Sequence, residues 1–265
     1  MTQPGAAFAG AAGHPRGASG VVARIRAAGR RWLWWARAGR GTLVRMGNSL
    51  ADPGLRALLD RLYAAAAGDE PVIARMVEHE RAAPAPLTSQ ERTELMESAY
   101  LPVEPESGEL LYSLVRASRP ATVVEFGTSF GISTIYLAAA VRDNGSGRVV
   151  GTELSPVKAS QARANLDEAG LGGVAEILEG DALDRLPGVP GPVGLVLLDG
   201  WKDLYLPVLR LLEPAMAAGA LIFADDTGRF ADQLAGYLAY VRDPASGYVN
   251  VQFPAGDGAE LSCRC

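Results

Sequence analysis

The sequence predicts an α/β protein with a doubly wound, mostly parallel sheet of seven strands, an N-terminal helical cap and a C-terminal antiparallel hairpin. Three observations support this fold. From about residue 121, short runs that are wholly apolar alternate with amphipathic helical stretches, as in parallel sheets covered by helices on both faces. Glycine-rich or acidic motifs stand at the ends of successive runs. Near the C-terminus, a glycine-containing turn separates two short strand-like segments.

The apolar runs give the bounds of the predicted elements. The predicted parallel strands are Ala121–Phe126, Arg148–Glu153, Ala175–Leu178, Gly194–Asp199 and Ala220–Ala224. Predicted helices cover residues 132–142, 156–169, 203–217 and 229–241. The hairpin strands Tyr248–Phe253 and Glu260–Cys263 flank the turn Ala255-Gly-Asp-Gly258.

A helical cap is predicted ahead of the sheet. Leucines at positions 55, 58, 59 and 62 repeat at helical spacing. Pro84 and Pro86 interrupt the pattern, and Thr88 with Glu91 then forms a capping-box pattern. The predicted organisation is an extension at residues 1–48, the cap at 49–118 and the main domain at 119–265.

The first 45 residues differ in charge from the rest of the chain. They carry eight arginines and no acidic residue, so the net charge of −5 divides into +8 for this segment and −13 for the remainder. Residues 1–20 are rich in Ala, Gly and Pro, which predicts disorder. The arginines around Trp32, Trp34 and Trp35 are consistent with a basic helix on anionic lipid, or with a disordered tail upstream of a true start at Met46.

Composition argues against several classes of function. No run of about 18 apolar residues occurs, so no transmembrane segment is predicted. Two histidines and two C-terminal cysteines, Cys263 and Cys265, argue against a multi-histidine zinc site, a His-based triad and a disulfide framework. A reducing cytoplasm is the expected compartment. The acidic charge beyond residue 45 argues against nucleic acid as a partner.

A glycine motif follows the first predicted strand. The segment Glu125-Phe-Gly-Thr-Ser-Phe-Gly131 ends that strand and leads into a helix. Gly127 allows a tight turn and Gly131 a close backbone approach, while the helix N-terminus favours an anionic group. The spacing lacks the three glycines expected for a dinucleotide pyrophosphate. A purely structural strand-to-helix turn is the alternative.

Acidic residues stand at the ends of the next two strands. Glu153 can accept hydrogen bonds from both hydroxyls of a ribose, or can be a surface glutamate. Asp181 can meet an adenine amino group, or can cap the helix that begins there. Three such motifs at one sheet edge, where doubly wound folds bind ligands, favour a cofactor site.

Carboxylates and a lysine follow the fourth and fifth strands. Asp199 and Lys202 follow one strand, and Asp225 and Asp226 follow the next. Carboxylate oxygens at one point suit a hard cation. The chain has two lysines among its 25 Lys and Arg residues, so a lysine here indicates titratable chemistry, because arginine does not lose its proton. Chance retention of the lysine and helix capping by the two aspartates are the alternatives.

From about Pro102 onward, roughly 160 residues, the chain resembles the class I S-adenosylmethionine-dependent O-methyltransferases, most of all the cation-dependent catechol and caffeoyl-coenzyme A type. Four segments match the family's first motif, its ribose position, its adenine region and the segment that folds over the methionine part of the cofactor. In that order, they are Val123-Val-Glu-Phe-Gly-Thr-Ser-Phe-Gly-Ile-Ser-Thr134, Gly151-Thr-Glu153, Gly180-Asp-Ala182 and Val103-Glu-Pro-Glu-Ser-Gly108. The most specific matches are Leu198-Asp-Gly-Trp-Lys-Asp-Leu-Tyr-Leu-Pro207 and Ala224-Asp-Asp226.

The resemblance implies three sets of site residues, for the cofactor, for a metal and for a general base. Those implied to contact S-adenosylmethionine are Val103, Glu125, Gly127, Ser129, Gly131, Ser133, Glu153, Asp181, Ala182 and Asp199. A divalent cation, Mg²⁺, is implied at Asp199, Asp225 and Asp226. The general base is implied at Lys202, three residues after the first ligand and expected to point into the same pocket. A nearby cation disfavours the ammonium form of a lysine, which suits a base.

The chain departs from the family pattern at two positions. Asp226 replaces the asparagine of the best-known members, which strengthens cation binding but leaves the site more negative. The identity of the metal is therefore open. Gly200 replaces a larger residue and leaves more room. Trp201 and Tyr205 either line an acceptor pocket or pack in the core.

The implied function is methyl transfer from S-adenosylmethionine to a hydroxyl of a small catechol-like, phenolic or natural-product acceptor. The resemblance also implies a homodimer. The alternatives are a metal-independent or N-directed methyltransferase, an NAD-binding oxidoreductase and a non-catalytic binding protein. The spacing of Gly127 and Gly131 argues against the oxidoreductase. The short connection from Tyr240 to Tyr248 predicts an open acceptor pocket.

Overall fold

A computed structural model describes residues 47–254 and 256–265 of the chain. Within these residues, no helix has the length and apolar composition needed to cross a membrane. The described residues belong to one compact unit. The predictions of a basic helix, a disordered tail and a start at Met46 lie outside the described residues, as does the turn residue Ala255. The proposed boundaries at residues 48 and 118 stay predictions.

Four helices precede the sheet. A short 3₁₀ turn, Ser49–Ala51, leads into α1 (Pro53–Ala66), α2 (Glu70–Ala82), α3 (Ser89–Leu95) and α4 (Pro105–Ser118). The predicted capping box opens α3: the Thr88 hydroxyl accepts from the backbone N–H of Glu91, whose carboxylate accepts from the backbone N–H of Thr88. All four leucines of the predicted stripe on α1 are buried.

A seven-stranded sheet follows, as predicted. Its strands are β1 (Thr122–Phe126), β2 (Arg148–Glu153), β3 (Ala175–Glu179), β4 (Val193–Leu198), β5 (Met216–Ala224), β6 (Tyr248–Phe253) and β7 (Ala259–Arg264). Their order across the sheet is β3-β2-β1-β4-β5-β7-β6. The first five strands are parallel, and β7 is antiparallel to both β5 and β6. The order reverses at β1, where ligands bind in doubly wound sheets.

Helices cover both faces of the sheet. They are α5 (Ile132–Asn144), α6 (Pro156–Glu168), α7 (Ala182–Arg185), α8 (Tyr205–Leu212) and α9 (Ala235–Arg242). One core joins side chains of α1, α4, α5 and α6 to the sheet, and the other joins α7, α8 and α9 to its opposite face. The leucine stripe of α1 is therefore part of the main core rather than of a separate one.

The predicted helix over residues 203–217 is corrected. A 3₁₀ turn covers Lys202–Leu204, α8 ends at Leu212, and β5 already begins at Met216. Pro214 has no N–H with which to continue the helix. Met216 instead pairs with Val193 of β4, so the predicted strand at 220–224 is only the second part of β5.

The predicted helix over residues 229–241 begins later, at Ala235. The backbone N–H groups of residues 227–229 donate to the carbonyl oxygens of Asp257 and Gly258, at 2.8 to 3.0 Å. This segment therefore follows the turn of the hairpin instead of a helical path. The hairpin strands themselves are confirmed.

Candidate active site

One cavity of about 690 Å³ opens at the carboxyl edge of the sheet. Every parallel strand contributes to its wall: Gly127, Glu153, Asp181, Asp199 and Asp225 lie at or just after the ends of β1 to β5. Side chains of α2 and α3 close the cavity from the cap. Among the described residues, ten carboxylates and four cationic side chains line it. This balance favours a cationic ligand.

The structure brings most of the predicted site residues together. Those that line the cavity are Gly127, Ser129, Glu153, Asp181, Ala182, Asp199, Lys202, Asp225 and Asp226. Val103, Glu125, Gly131 and Ser133 do not line it. All four are buried in the protein around the cavity. Their predicted contacts with a cofactor stay predictions.

The glycine turn after β1 depends on two backbone conformations that favour glycine. Gly127 has φ +97°, and a Cβ at this position would lie 2.5 Å from the carbonyl oxygen of Asp199. Gly131 has φ +87° and faces Ala162 of α6, where an added Cβ would meet the alanine Cβ at 3.3 Å. The first glycine therefore lets β1 and the loop after β4 approach, and the second lets α5 approach α6.

Glu125 fixes this turn from behind. It is fully buried, and its carboxylate accepts hydrogen bonds from the hydroxyls of Thr128 at 2.8 Å, Ser133 at 2.6 Å and Thr134. Burial raises the pKa of Glu125, and the three hydroxyls oppose that rise. The Ser133 hydroxyl is thereby directed at Glu125. We conclude that these residues stabilise the turn.

Glu153 keeps room for a ligand. One of its carboxylate oxygens accepts from the backbone N–H of Ser129 at 2.7 Å and the other from that of Ser155 at 2.8 Å. Each oxygen retains a lone pair, so the carboxylate is fixed in place while still able to accept from a diol. Asp181 caps α7 through the backbone N–H of Leu183 and also lines the cavity. Its two proposed roles are therefore compatible.

Lys202 lies among the carboxylates that follow β4 and β5. Its Nζ is 2.7 Å from Asp226 Oδ2 and 3.9 Å from Asp199 Oδ1. It donates to the Tyr205 hydroxyl at 2.8 Å, and that hydroxyl donates to the backbone carbonyl of Asp225 at 3.2 Å. The ammonium is thus held on three sides at the edge of the sheet.

The cluster carries more negative charge than Lys202 neutralises. Burial, and then the charge of Asp225, raises the pKa of Asp199 well above its ordinary value of 3.8. Burial, and then Asp226, raises the pKa of Asp225 to about 6. A hard divalent cation would relieve this repulsion, and three carboxylates suit it chemically. Within residues 47–254 and 256–265, however, no group of three His, Cys, Asp or Glu is already arranged to hold one.

Tyr205 does not line the cavity. It is fully buried, and its ring packs edge to face against Phe126 and Tyr237. Of the two aromatic candidates, only Trp201 lines the cavity. Tyr205 acts on the site through its hydroxyl, which supports Lys202.

The cap and the loops after β4 and β5 also bring apolar side chains to the cavity. They come from α2, from the end of α3 and from the two loops: Ile73, Met76, Val77, Met96, Trp201, Leu204 and Phe230. A flat aromatic molecule suits such a surface. Apart from Trp201, none of these residues was predicted from the sequence, because they belong to other helices and loops than the predicted stripe of α1.

Lys158 and Asp69 also line the cavity, and sequence reasoning missed both. Lys158 is 4% exposed, and its Nζ lies 3.3 Å from Ser129 Oγ. Burial lowers the pKa of Lys158, while the charge of Glu153 opposes that shift. The rarity of lysine was a usable signal, since both lysines of the chain lie in this cavity. Asp69 accepts from the backbone N–H groups of Tyr100 and Leu101 at 2.9 and 2.8 Å.

Comparison with known proteins agrees with this geometry. A family model described as a methyltransferase domain matches residues 124–227. A catechol O-methyltransferase from Mycobacterium tuberculosis is 34% identical over 163 residues, which cover 61% of this chain and 67% of the relative. A catechol O-methyltransferase from Niastella koreensis is 35% identical over 135 residues, covering 48% of this chain and 58% of the relative. The chain thus spans less than two thirds of the length of the second relative.

A solved structure agrees with the same assignment. The structure of a cofactor-bound protein from MTB matches 80% of this chain and 97% of its own, with a TM-score of 0.56 and 29% sequence identity. The matched methyltransferase domain contains the glycine turn, Glu153, Lys202 and the two aspartates after β5. The chain therefore belongs to the class I S-adenosylmethionine-dependent O-methyltransferases of the catechol and caffeoyl-coenzyme A type.

Proposed function

We propose that the chain transfers a methyl group from S-adenosylmethionine, bound as a substrate, to a hydroxyl of a small catechol-like or phenolic molecule. One observation carries the proposal: Lys202 and three carboxylates share a single cavity with the glycine turn and Glu153. A methyl donor and a base can therefore reach the same acceptor. The similarity to catechol O-methyltransferases supports the same activity.

The sheet edge supplies the donor site. Glu153, fixed by the backbone N–H groups of Ser129 and Ser155, accepts from the ribose hydroxyls. Asp181 and Ala182 lie at the adenine end. The excess of carboxylates in the cavity favours a sulfonium cation over its neutral product.

Lys202 takes the proton of the acceptor. A bond forms between the acceptor oxygen and the methyl carbon while the bond from that carbon to sulfur breaks, which leaves a neutral thioether. The hydroxyl proton passes to Lys202 Nζ, so the lysine has to be neutral when the acceptor binds. Asp226 and the Tyr205 hydroxyl, at 2.7 and 2.8 Å, keep Nζ in position.

A divalent cation, Mg²⁺ by the chemistry of oxygen ligands, would be held by Asp199, Asp225 and Asp226. When bound, it lowers the pKa of an acceptor hydroxyl and fixes its orientation. Burial, and then the charge of a neighbouring carboxylate, raises the pKa of both Asp199 and Asp225, and a bound cation would offset both effects.

A metal-independent methyltransferase is the second candidate. The ion pair between Lys202 and Asp226 favours it, because the ammonium already neutralises the residue that replaces asparagine in the family pattern. In this case, Lys202 would first lose its proton and would then accept that of the acceptor hydroxyl without help from a metal.

The decisive experiment uses tritium-labelled S-adenosylmethionine with catechols, hydroxylated polyketides and sugars, in Mg²⁺ or in excess chelator. We expect methylation of a catechol that depends on Mg²⁺, and loss of the cation response in Asp199→Asn. Asp232→Asn is the matched control, since it removes the same charge from an exposed turn outside the cavity. Full activity in chelator would select the metal-independent mechanism. Binding of the donor with no methylation of any hydroxyl in this panel would reject the proposed catechol-like and phenolic acceptors.

A further inference from the structure

The indole of Trp201 is held from two sides by helix α3. Its Nε1 donates a hydrogen bond to Thr93 Oγ1 at 3.1 Å. The guanidinium of Arg92 lies over the ring, 4.9 Å from its centroid. The neighbouring residues Arg92 and Thr93 therefore fix both the plane of the ring and its rotation within that plane.

Arg92 is itself anchored. Its Nη2 donates to both carboxylate oxygens of Asp203, each at 3.0 Å. Its Nε has no hydrogen-bond partner among the described residues, so stacking on Trp201 and pairing with Asp203 hold the side chain. Asp203 is two residues after Trp201, so helix α3 contacts the loop after β4 at both positions.

These contacts belong to a small core that is separate from the two main ones. Val72, Met96 and Ala99 form this cluster, and Trp201 packs against it. Thr93 is buried. The orientation of the indole therefore depends on α2 and α3 rather than on the sheet that positions Lys202.

Trp201 lies next to the residue proposed as the base. It immediately precedes Lys202 in the chain, and the side chains of both residues line the cavity. An aromatic acceptor that packs on the indole takes its tilt from the indole plane. When two hydroxyls are adjacent on the ring, that tilt decides which oxygen faces Lys202.

We infer that Arg92 and Thr93 are positioning residues that orient Trp201 and so select which of two neighbouring hydroxyls is methylated. The inference rests on the proposed function. Neither side chain is required to touch the reacting atoms. Loss of either contact should change the ratio of products more than the rate of their formation.

The test measures both monomethyl products of 4-methylcatechol by chromatography. This acceptor is uncharged, so changes at Arg92 remove no ion pair with the substrate. Thr93→Val keeps the shape of the side chain but removes the hydrogen-bond acceptor, and we expect the product ratio to move about fivefold toward one, the size of one lost hydrogen bond. Thr93→Ser keeps the hydroxyl and should retain the wild-type ratio. Arg92→Met should shift the ratio in the same direction as Thr93→Val.

Asp203→Asn provides a variant outside the buried cluster, because the Asp203 side chain is 56% exposed. It weakens the anchor of Arg92 and should shift the ratio less than Arg92→Met. A wild-type ratio of one would overturn the inference. An unchanged ratio in all three disrupting variants would overturn it as well.

A second measurement separates this inference from the proposed function. The chain has four tryptophans, so full-length protein with Trp32→Phe, Trp34→Phe and Trp35→Phe reports on Trp201 alone. Time-resolved fluorescence anisotropy should reveal faster indole motion in Thr93→Val and Arg92→Met but not in Thr93→Ser. If no catechol is methylated, the proposed function fails, and this measurement still tests whether Arg92 and Thr93 hold the indole. An equally immobile indole in all variants would mean that they do not.

Discussion

The two ends of the cavity are built by different means. At the end proposed to bind the methyl donor (the donor end), Gly127, Glu153 and Asp181 follow neighbouring strands, and hydrogen bonds from backbone N–H groups hold both carboxylates. At the end proposed to bind the acceptor (the acceptor end), side chains of α2, α3 and two loops meet in a small cluster separate from the main cores. The donor end is therefore fixed by the sheet, whereas the acceptor end depends on a few side-chain contacts. Substitutions at the two ends should act on different quantities.

The largest expected effect separates turnover from donor binding. Lys202→Met should lower kcat about 100- to 10,000-fold, the usual contribution of a general base. The affinity for S-adenosylhomocysteine, measured by calorimetry, should stay unchanged because the donor end is built independently. Lys202→Arg should be equally inactive, since arginine retains its proton. Wild-type turnover in Lys202→Met would exclude the lysine as base.

The next largest effect is on stability, and it shows how rigidly the sheet fixes the donor end. Gly127→Ala should lower the free energy of unfolding by at least about 2 kcal/mol, because the new Cβ combines positive φ with a clash. Gly145→Ala is the matched control: its φ is +71° and nothing lies within 4 Å of the added Cβ. Gly145→Ala should lower the free energy of unfolding by about 1 kcal/mol, from backbone strain alone. If urea unfolding gave equal losses for the two variants, the close approach of Gly127 to Asp199 would be unimportant for stability.

A smaller effect tests the link between the two ends. Asp69, at the start of α2, accepts from Tyr100 and Leu101, and the Tyr100 carbonyl accepts from the Ser129 hydroxyl at 2.7 Å. Asp69→Asn should destabilise the protein by about 1 to 2 kcal/mol. It should also raise the KM for both donor and acceptor.

The control for this link is Asp60→Asn, which removes an equal charge from an exposed position of α1. If Asp69→Asn raised the KM for the acceptor only, the two ends would be independent at this point.

The smallest expected effect concerns pH and Glu125. Because burial raises its folded-state pKa above 4.5, the folded protein keeps this proton after the unfolded chain has lost it. The contribution of Glu125 to stability should therefore fall as the pH rises above about 4.5 and level off above the folded-state pKa. Urea unfolding of Glu125→Gln should show a weaker decline with pH than wild type. Parallel profiles would mean that Glu125 does not titrate in this range.

Much of the donor end could be predicted from sequence, for a physical reason. Apolar runs mark buried strands, and the residues after parallel strands meet at one edge whatever the details of packing. Gly127, Glu153 and Asp181 were found in this way. The pattern could not show that Glu125 is buried behind the turn, since its partners Thr128, Ser133 and Thr134 are ordinary residues of a strand-to-helix junction.

The acceptor end was less predictable. The helix expected over 229–241 begins at Ala235, because hydrogen bonds to the hairpin turn hold the preceding backbone. That change brings Phe230 to the cavity. Arg92 and Thr93 stand in an ordinary polar helix, and nothing local indicates that they face Trp201. The sequence likewise left open whether Tyr205 lines the pocket or packs in the core, and only the structure shows that it is buried.

The sequence by itself determined the layered fold, the edge of the sheet at which the cavity lies, and the residues proposed to bind the donor after each strand. These depend on local periodicity and on the geometry of parallel strands. Only the tertiary structure decided that Lys202 pairs with Asp226, that Lys158 is buried beside Ser129, and that Thr93 holds Trp201 across 108 residues of chain. Such contacts join segments distant in sequence, and only packing of the cap against the sheet brings them together.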